Sequence, residues 1–160
     1  MMITKNDLTR LYNWASSTTF PLRNERITSK YMGYGLLICY FKGGVNLIQY
    51  PNRELSQPVM DILCKDEILG SYFLSYPPNM IAPKHTDYNP HRQPFKRIQI
   101  PTRVDDGFIE FVKTGEKVFW KEGKVEIIDV EHEEHQGANN SDNRMEFLYV
   151  DVPTRVEVET

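Results

Sequence analysis

Between Ser71 and Val152 the chain sustains no helical period. It breaks instead into short runs rich in Val, Ile, Phe and Tyr, punctuated by Pro, Gly and Asn. Such runs predict strands at 71–76, 95–100, 108–112, 117–120, 125–130 and 145–152, with two earlier ones at 34–41 and 45–49. Strands this short and this numerous form a sandwich or barrel. Glu122-Gly123-Lys124 joins two of the runs like a hairpin turn, with Gly123 supplying a positive φ.

Helical patterning is confined to the N-terminal part. Leu8, Leu11, Tyr12 and Ala15 repeat at i, i+3, i+4 and i+7, and Thr4 stands three residues before Asp7 as in a capping box. A second short helix is predicted from Pro58, a residue suited to the first helical turn. The 160 residues fit one domain, with 1–69 supplying helices and accessory strands and 70–152 the β core. A hydrophobic fraction of 40% is enough to build that core and excludes a disordered chain. The tail after Pro153 reads as an edge strand or a frayed end.

Charge and cysteine usage narrow the classes further. Nineteen basic against 22 acidic residues give a net charge of −3, which argues against a dedicated nucleic-acid binder. The longest apolar run, Tyr34 to Phe41, is strand-length and far short of the ~20 residues of a membrane span. The N-terminus lacks the basic-then-apolar pattern of a signal peptide. Cys39 and Cys64 read as two packed, reduced thiols. The expectation is a soluble, cytoplasmic domain with no nucleic-acid or membrane partner; its oligomeric state is not legible.

One segment breaks the pattern. Pro77 to Pro101 holds six of the ten prolines and two of the four histidines, a poor composition for a central strand and a candidate lid. It contains His85 and Asp87, spaced so that both side chains point to one face of an extended chain and can chelate one ion. His132 and His135 lie past the end of the 125–130 run. Two histidines and a carboxylate on one side of an ion form the open facial triad of non-haem Fe(II) oxygenases. An isolated H-x-D is more often a surface pair.

Arg144 opens the last strong run. If 125–130 and 145–152 pair antiparallel, the polar loop between them brings His135 and Arg144 together. A guanidinium beside a metal calls for a bridging anion, and a dicarboxylate such as 2-oxoglutarate can chelate the ion at one end and meet the arginine at the other. The plainer reading pairs Arg144 with Asp142 or Glu146 at the surface. His91, Arg92, Lys96, Arg97 and Arg103 form a basic group that either steers an anion or simply solvates a loop.

The ordered set His85-Thr-Asp87, Arg97-Ile-Gln99, Phe119-Trp120, Asp129, His135 with Asn139, Arg144 and Asp151 resembles the aspartyl/asparaginyl/prolyl hydroxylases. These are Fe(II)/2-oxoglutarate-dependent dioxygenases, and the likeness runs over about residues 70–152, half of the chain. It implies a mainly β double-stranded β-helix (a cupin-like jelly roll) with one or two N-terminal helices packed on it. It implies Fe(II) held by His85, Asp87 and His135, 2-oxoglutarate gripped by Arg144, and further cosubstrate or substrate contacts from Arg97 and Gln99. Asn139 would fix the turn beyond the second histidine, while Asn89, His132 and Trp120 are candidates for the surrounding shell or for substrate contact. Ascorbate is a candidate reductant, and the substrate would be an amino acid, free or in a peptide, that is hydroxylated as 2-oxoglutarate becomes succinate. The spacing departs from the family by one residue too few between His135 and Arg144 and one too many between Arg144 and Asp151. For His132 the plainer role is an exposed strand-end residue; for Trp120 it is core packing. Two alternatives stay open: a cupin-type metalloenzyme that does not use 2-oxoglutarate, and a metal-free jelly-roll binding or structural module.

Overall fold

In a computed structural model, residues 2–17, 35–40, 59, 61–63, 68–76, 78–88, 90 and 93–160 are described. The chain opens with strand β1 (Met2–Ile3) and helix α1 (Lys5–Ser17). The predicted capping box forms: Asp7 N–H donates to Thr4 Oγ1 at 3.1 Å and Thr4 N–H to Asp7 Oδ2 at 2.9 Å. Leu8, Leu11 and Ala15 are the buried stripe of α1. Each leucine contributes about 2 kcal/mol by leaving water. Of the second predicted helix, residues 59 and 61–63 are helical; Pro58, Cys64 and the 45–49 strand lie outside the described residues.

The strands that follow are β2 (Gly35–Tyr40), β3 (Gly70–Tyr76), β4 (Phe95–Arg103), β5 (Gly107–Phe111), β6 (Lys117–Phe119), β7 (Glu126–Ile128), β8 (His135–Asn139), β9 (Met145–Pro153) and β10 (Glu157–Val158). One sheet has the order β2-β3-β9-β4-β7 and the other β6-β5-β8. Bridges Ile81↔Ala138 and His85↔His135 add the proline-rich segment to the second sheet beside β8. Successive segments thus alternate between sheets: β3 in the large, 81–85 in the small, β4 in the large, β5 and β6 in the small, β7 large, β8 small, β9 large. This winding is a double-stranded β-helix. The C-terminal tail ends in β10, paired parallel to β1.

Alternation along the strands makes two cores. Ile98, Ile100, Leu148, Val150 and Val152 face outward from the large sheet and pack with Leu8, Leu11 and Ala15 of α1. Leu74, Tyr76, Phe95, Met145, Phe147 and Tyr149 face inward and meet Ile109 of the small sheet. Among the described residues no helix is long and apolar enough to cross a membrane.

Three expectations need correction. The 125–130 run does not pair with the last strand: β7 pairs with β4, and β9 lies between β3 and β4. The 122–124 turn, with Gly123 at φ 74°, therefore crosses between sheets and is not a hairpin. The polar stretch after His135 is a strand, β8, paired with β5. In β4, a central strand despite Pro101, the ladder shifts register between Pro101 and Arg103, the local irregularity that a strand proline brings.

Candidate metal centre

His85 and Asp87 sit on the segment that runs along β8, and His135 opens β8 itself. Backbone bonds lock the two together: Ala82 N–H to Gly137 O at 2.8 Å, His85 N–H to His135 O at 3.0 Å, His135 N–H to His85 O at 2.9 Å, and Asn139 N–H to Met80 O at 2.8 Å. Asp87 N–H donates to Val130 O at 2.8 Å. The candidate lid is thus divided between the sheets: Ile81 and His85 bridge to β8 of the small one, and residues 95–101 belong to β4 of the large one. That ladder brings one ligand atom from each of His85, Asp87 and His135 within 4.8 Å of one another, the single group of its kind among the described residues.

Both rings are oriented by their own backbone. His85 Nδ1 lies 2.7 Å from Pro83 O, and His135 Nδ1 lies 2.7 Å from Glu133 O. A carbonyl only accepts, so each Nδ1 carries the proton and each Nε2 is turned to the shared space. There His135 Nε2 stands 3.3 Å from Asp87 Oδ2, and His85 Nε2 stands 3.7 Å from Asp87 Oδ1. Ring orientation by an N–H to a carbonyl is what histidine ligands of metals show. His135 is buried, whereas His85 and Asp87 are partly exposed, so the group opens to one side. Two imidazole nitrogens and a carboxylate fit a divalent transition metal, with Fe(II) among the ions such a donor set takes.

The charge beside this group is Arg97. Its Nη1 donates to Asp87 Oδ2 at 3.2 Å, while Nε and Nη2 donate to Asp151 Oδ1 and Oδ2 at 2.8 and 3.0 Å. Burial alone would raise the Asp87 carboxyl; the Arg97 guanidinium and the two histidines outweigh it and hold it at about 2. The guanidinium also lies over the Tyr149 ring, 5.1 Å from its centroid. Burial and the adjacent Tyr76 push the Tyr149 hydroxyl well above its ordinary range, so it is a neutral wall.

Gln99, one turn of the pleat further in, accepts from Trp120 Nε1 at 3.0 Å, and both side chains are buried. Trp120 packs edge-on against Tyr76 and Phe147, the core role rather than a substrate platform. Asn139 fixes the turn after β8: its Nδ2 donates to Tyr76 O and Asn143 O, and its Oδ1 accepts from Ser141 N and Oγ. His132 stands apart, 65% exposed, with Nε2 3.2 Å from Glu131 Oε1 and Nδ1 3.8 Å from Asp129 Oδ1. Asn89, His91 and Arg92 lie outside the described residues.

Arg144 lies just before β9, whose inward row is Met145, Phe147 and Tyr149, with Asp151 continuing the alternation to meet Arg97. It lies beside Glu146, whose carboxyl is raised by burial and drawn back by Arg103 and Arg144. The guanidinium shown at the ligand group is that of Arg97. Asp151 stands in the motif set without a role of its own; its signal is a carboxylate in phase with Phe147 and Tyr149 on an otherwise apolar strand face. A separate cavity of about 650 Å³, lined by Leu8, Tyr12, Lys124, Glu126 and Ile127 among others, shares no lining residue with the metal group.

No protein-family model matches the chain, and no curated protein matches it. Among solved structures it is similar to a predicted oxalate decarboxylase from Thermotoga maritima, at 16% identity and a TM-score of 0.47 over 82% of this chain and 97% of that one. It is also similar to a cupin protein from Bacteroides fragilis, at 18% identity and a TM-score of 0.46 over 84% and 88%. A third similar structure, a protein from Photorhabdus luminescens, shows 16% identity and a TM-score of 0.41, and the match spans 53% of this chain and 62% of that one.

Proposed function

We propose that the chain is a non-haem Fe(II) dioxygenase that uses 2-oxoglutarate to hydroxylate an amino acid, free or within a peptide. The observation that carries this reading is the His85–Asp87–His135 group, with both Nε2 atoms turned to one carboxylate on a partly open side of the fold. Iron held there supplies oxygen activation coupled to oxidative decarboxylation of the keto acid to succinate. The protein's part is positional. The Pro83 and Glu133 carbonyls aim the two imidazoles, Arg97 holds Asp87, and the buried wall of Tyr76, Tyr149 and Phe147 keeps bulk water from the inner side. Stoichiometric Fe(II) added anaerobically, followed by 2-oxoglutarate, is expected to give a weak visible charge-transfer band that needs both components and is lost in His135→Ala. Metal binding without any band refutes the use of this cosubstrate.

One observation favours a second reading, a cupin-type metalloenzyme that does not use 2-oxoglutarate. Arg144, the expected carboxylate clamp, lies beside Glu146, and Met145 takes the inward position. On that reading Arg144→Ala leaves activity intact; on the first, it raises the 2-oxoglutarate requirement.

A further inference from the structure

Arg97 divides one guanidinium between two carboxylates that come from distant parts of the chain. The fork made by Nε and Nη2 is taken by both oxygens of Asp151, at 2.8 and 3.0 Å, and this leaves Nη1 for Asp87 Oδ2 at 3.2 Å. Asp151 has no solvent exposure and Arg97 is 8% exposed, so neither group can turn to water. Two strands set the pair: Arg97 and Asp151 are directly opposite in the β4–β9 ladder.

We propose that Asp151 is a positioning residue for the metal centre, acting through Arg97. A bare guanidinium 3.2 Å from Asp87 Oδ2 would compete with a cation for that carboxylate and repel the cation as well. With Asp151 bound bidentate, the Arg97 charge is balanced and its fork is saturated. Nη1 is then the group that pins a single oxygen of Asp87, so the ligand meets the metal through the other. Asp151 thereby sets both the affinity of the centre and the one-oxygen mode of its carboxylate. The inference rests on the metal-centre reading, not on the choice of cosubstrate.

Co(II) alone is the probe, read by its visible d–d bands and by its dissociation constant. Asp151→Asn, which leaves the Arg97 charge to be met by Asp87, is expected to weaken Co(II) binding by about 10- to 100-fold. Removing both charges in Arg97→Gln/Asp151→Asn is expected to recover most of that loss and to change the band shape, because Asp87 is no longer held by one oxygen. The double variant, lacking any unpaired buried ion, also serves as the test should the single one fail to fold. Native affinity and bands in Asp151→Asn overturn the proposal, as does a double variant with the native band shape. Failure of the native protein to bind Co(II) overturns the metal-centre reading itself, an outcome distinguishable from these.

Discussion

Only two residues separate His132 from His135, and only one of these rings is held against Asp87. The difference is made by the backbone: His135 is in the ladder with His85, and its Nδ1 is fixed by Glu133 O, while His132 sits in the preceding turn among Asp129 and Glu131. The carboxylate between the rings has a consequence that can be measured in metal-free protein. Its ordinary value of 3.8 is lowered to about 2 in the fold. A depressed acid stabilises the native state fully above its unfolded value and ceases to as pH falls through the folded one. Asp87 is therefore worth up to about 2 kcal/mol that is present above roughly pH 4 and gone near pH 2. Urea unfolding of native protein and Asp87→Asn should show a stability gap at about pH 5 that closes towards pH 2; a gap of constant size would refute it. The meeting of His85, Asp87 and His135 was legible because it depends on local spacing and on the order of motifs. The Arg97–Asp151 pair was not, since its members lie 54 residues apart and meet only through strand pairing. Around Arg144 the spacing did carry a signal, one residue too few before it and one too many after it, and a one-residue phase decides which face of a strand a side chain takes.

Elements differ in how much of their cause is local. Helix α1 is specified by a capping box and an apolar stripe within one stretch of chain, and it forms as read. Strand β8, with the sequence HQGAN, has no β-branched residue and reads as a loop; it becomes a strand because β5 and the 81–85 segment both bond to it. Its glycine has a packing reason. A Cβ at Gly137 would lie 2.5 Å from Tyr76 Oη and 2.8 Å from its Cε2. Tyr76 is buried and wedged against Trp120 and Phe147, so the ring has little room to retreat. Gly137→Ala is expected to cost about 1–3 kcal/mol, read from the urea midpoint. An unchanged midpoint would mean that Tyr76 turns aside at no cost, and that the β8–β3 contact is looser than its distances indicate.

At the scale of the molecule, the ligand group ties two segments of the small sheet that are 50 residues apart, His85 and His135, and Arg97 with Asp151 ties that group to the large sheet. An ion bound there would draw on contacts from both layers, and those contacts exist together only in the folded chain. Its binding energy is then folding energy: at a free metal concentration 100-fold above the dissociation constant, the native state gains about 2.7 kcal/mol. For a domain of this size that raises the melting temperature by about 5–10 °C. Mn(II) or Co(II) should produce the shift, a chelator should reverse it, and His85→Ala should melt at one temperature with or without metal. The same experiment addresses the metal-free binding module directly, because such a protein gains nothing from the ion. A native melting temperature indifferent to metal would leave the two sheets and their aromatic interior as a scaffold whose histidines meet for packing alone.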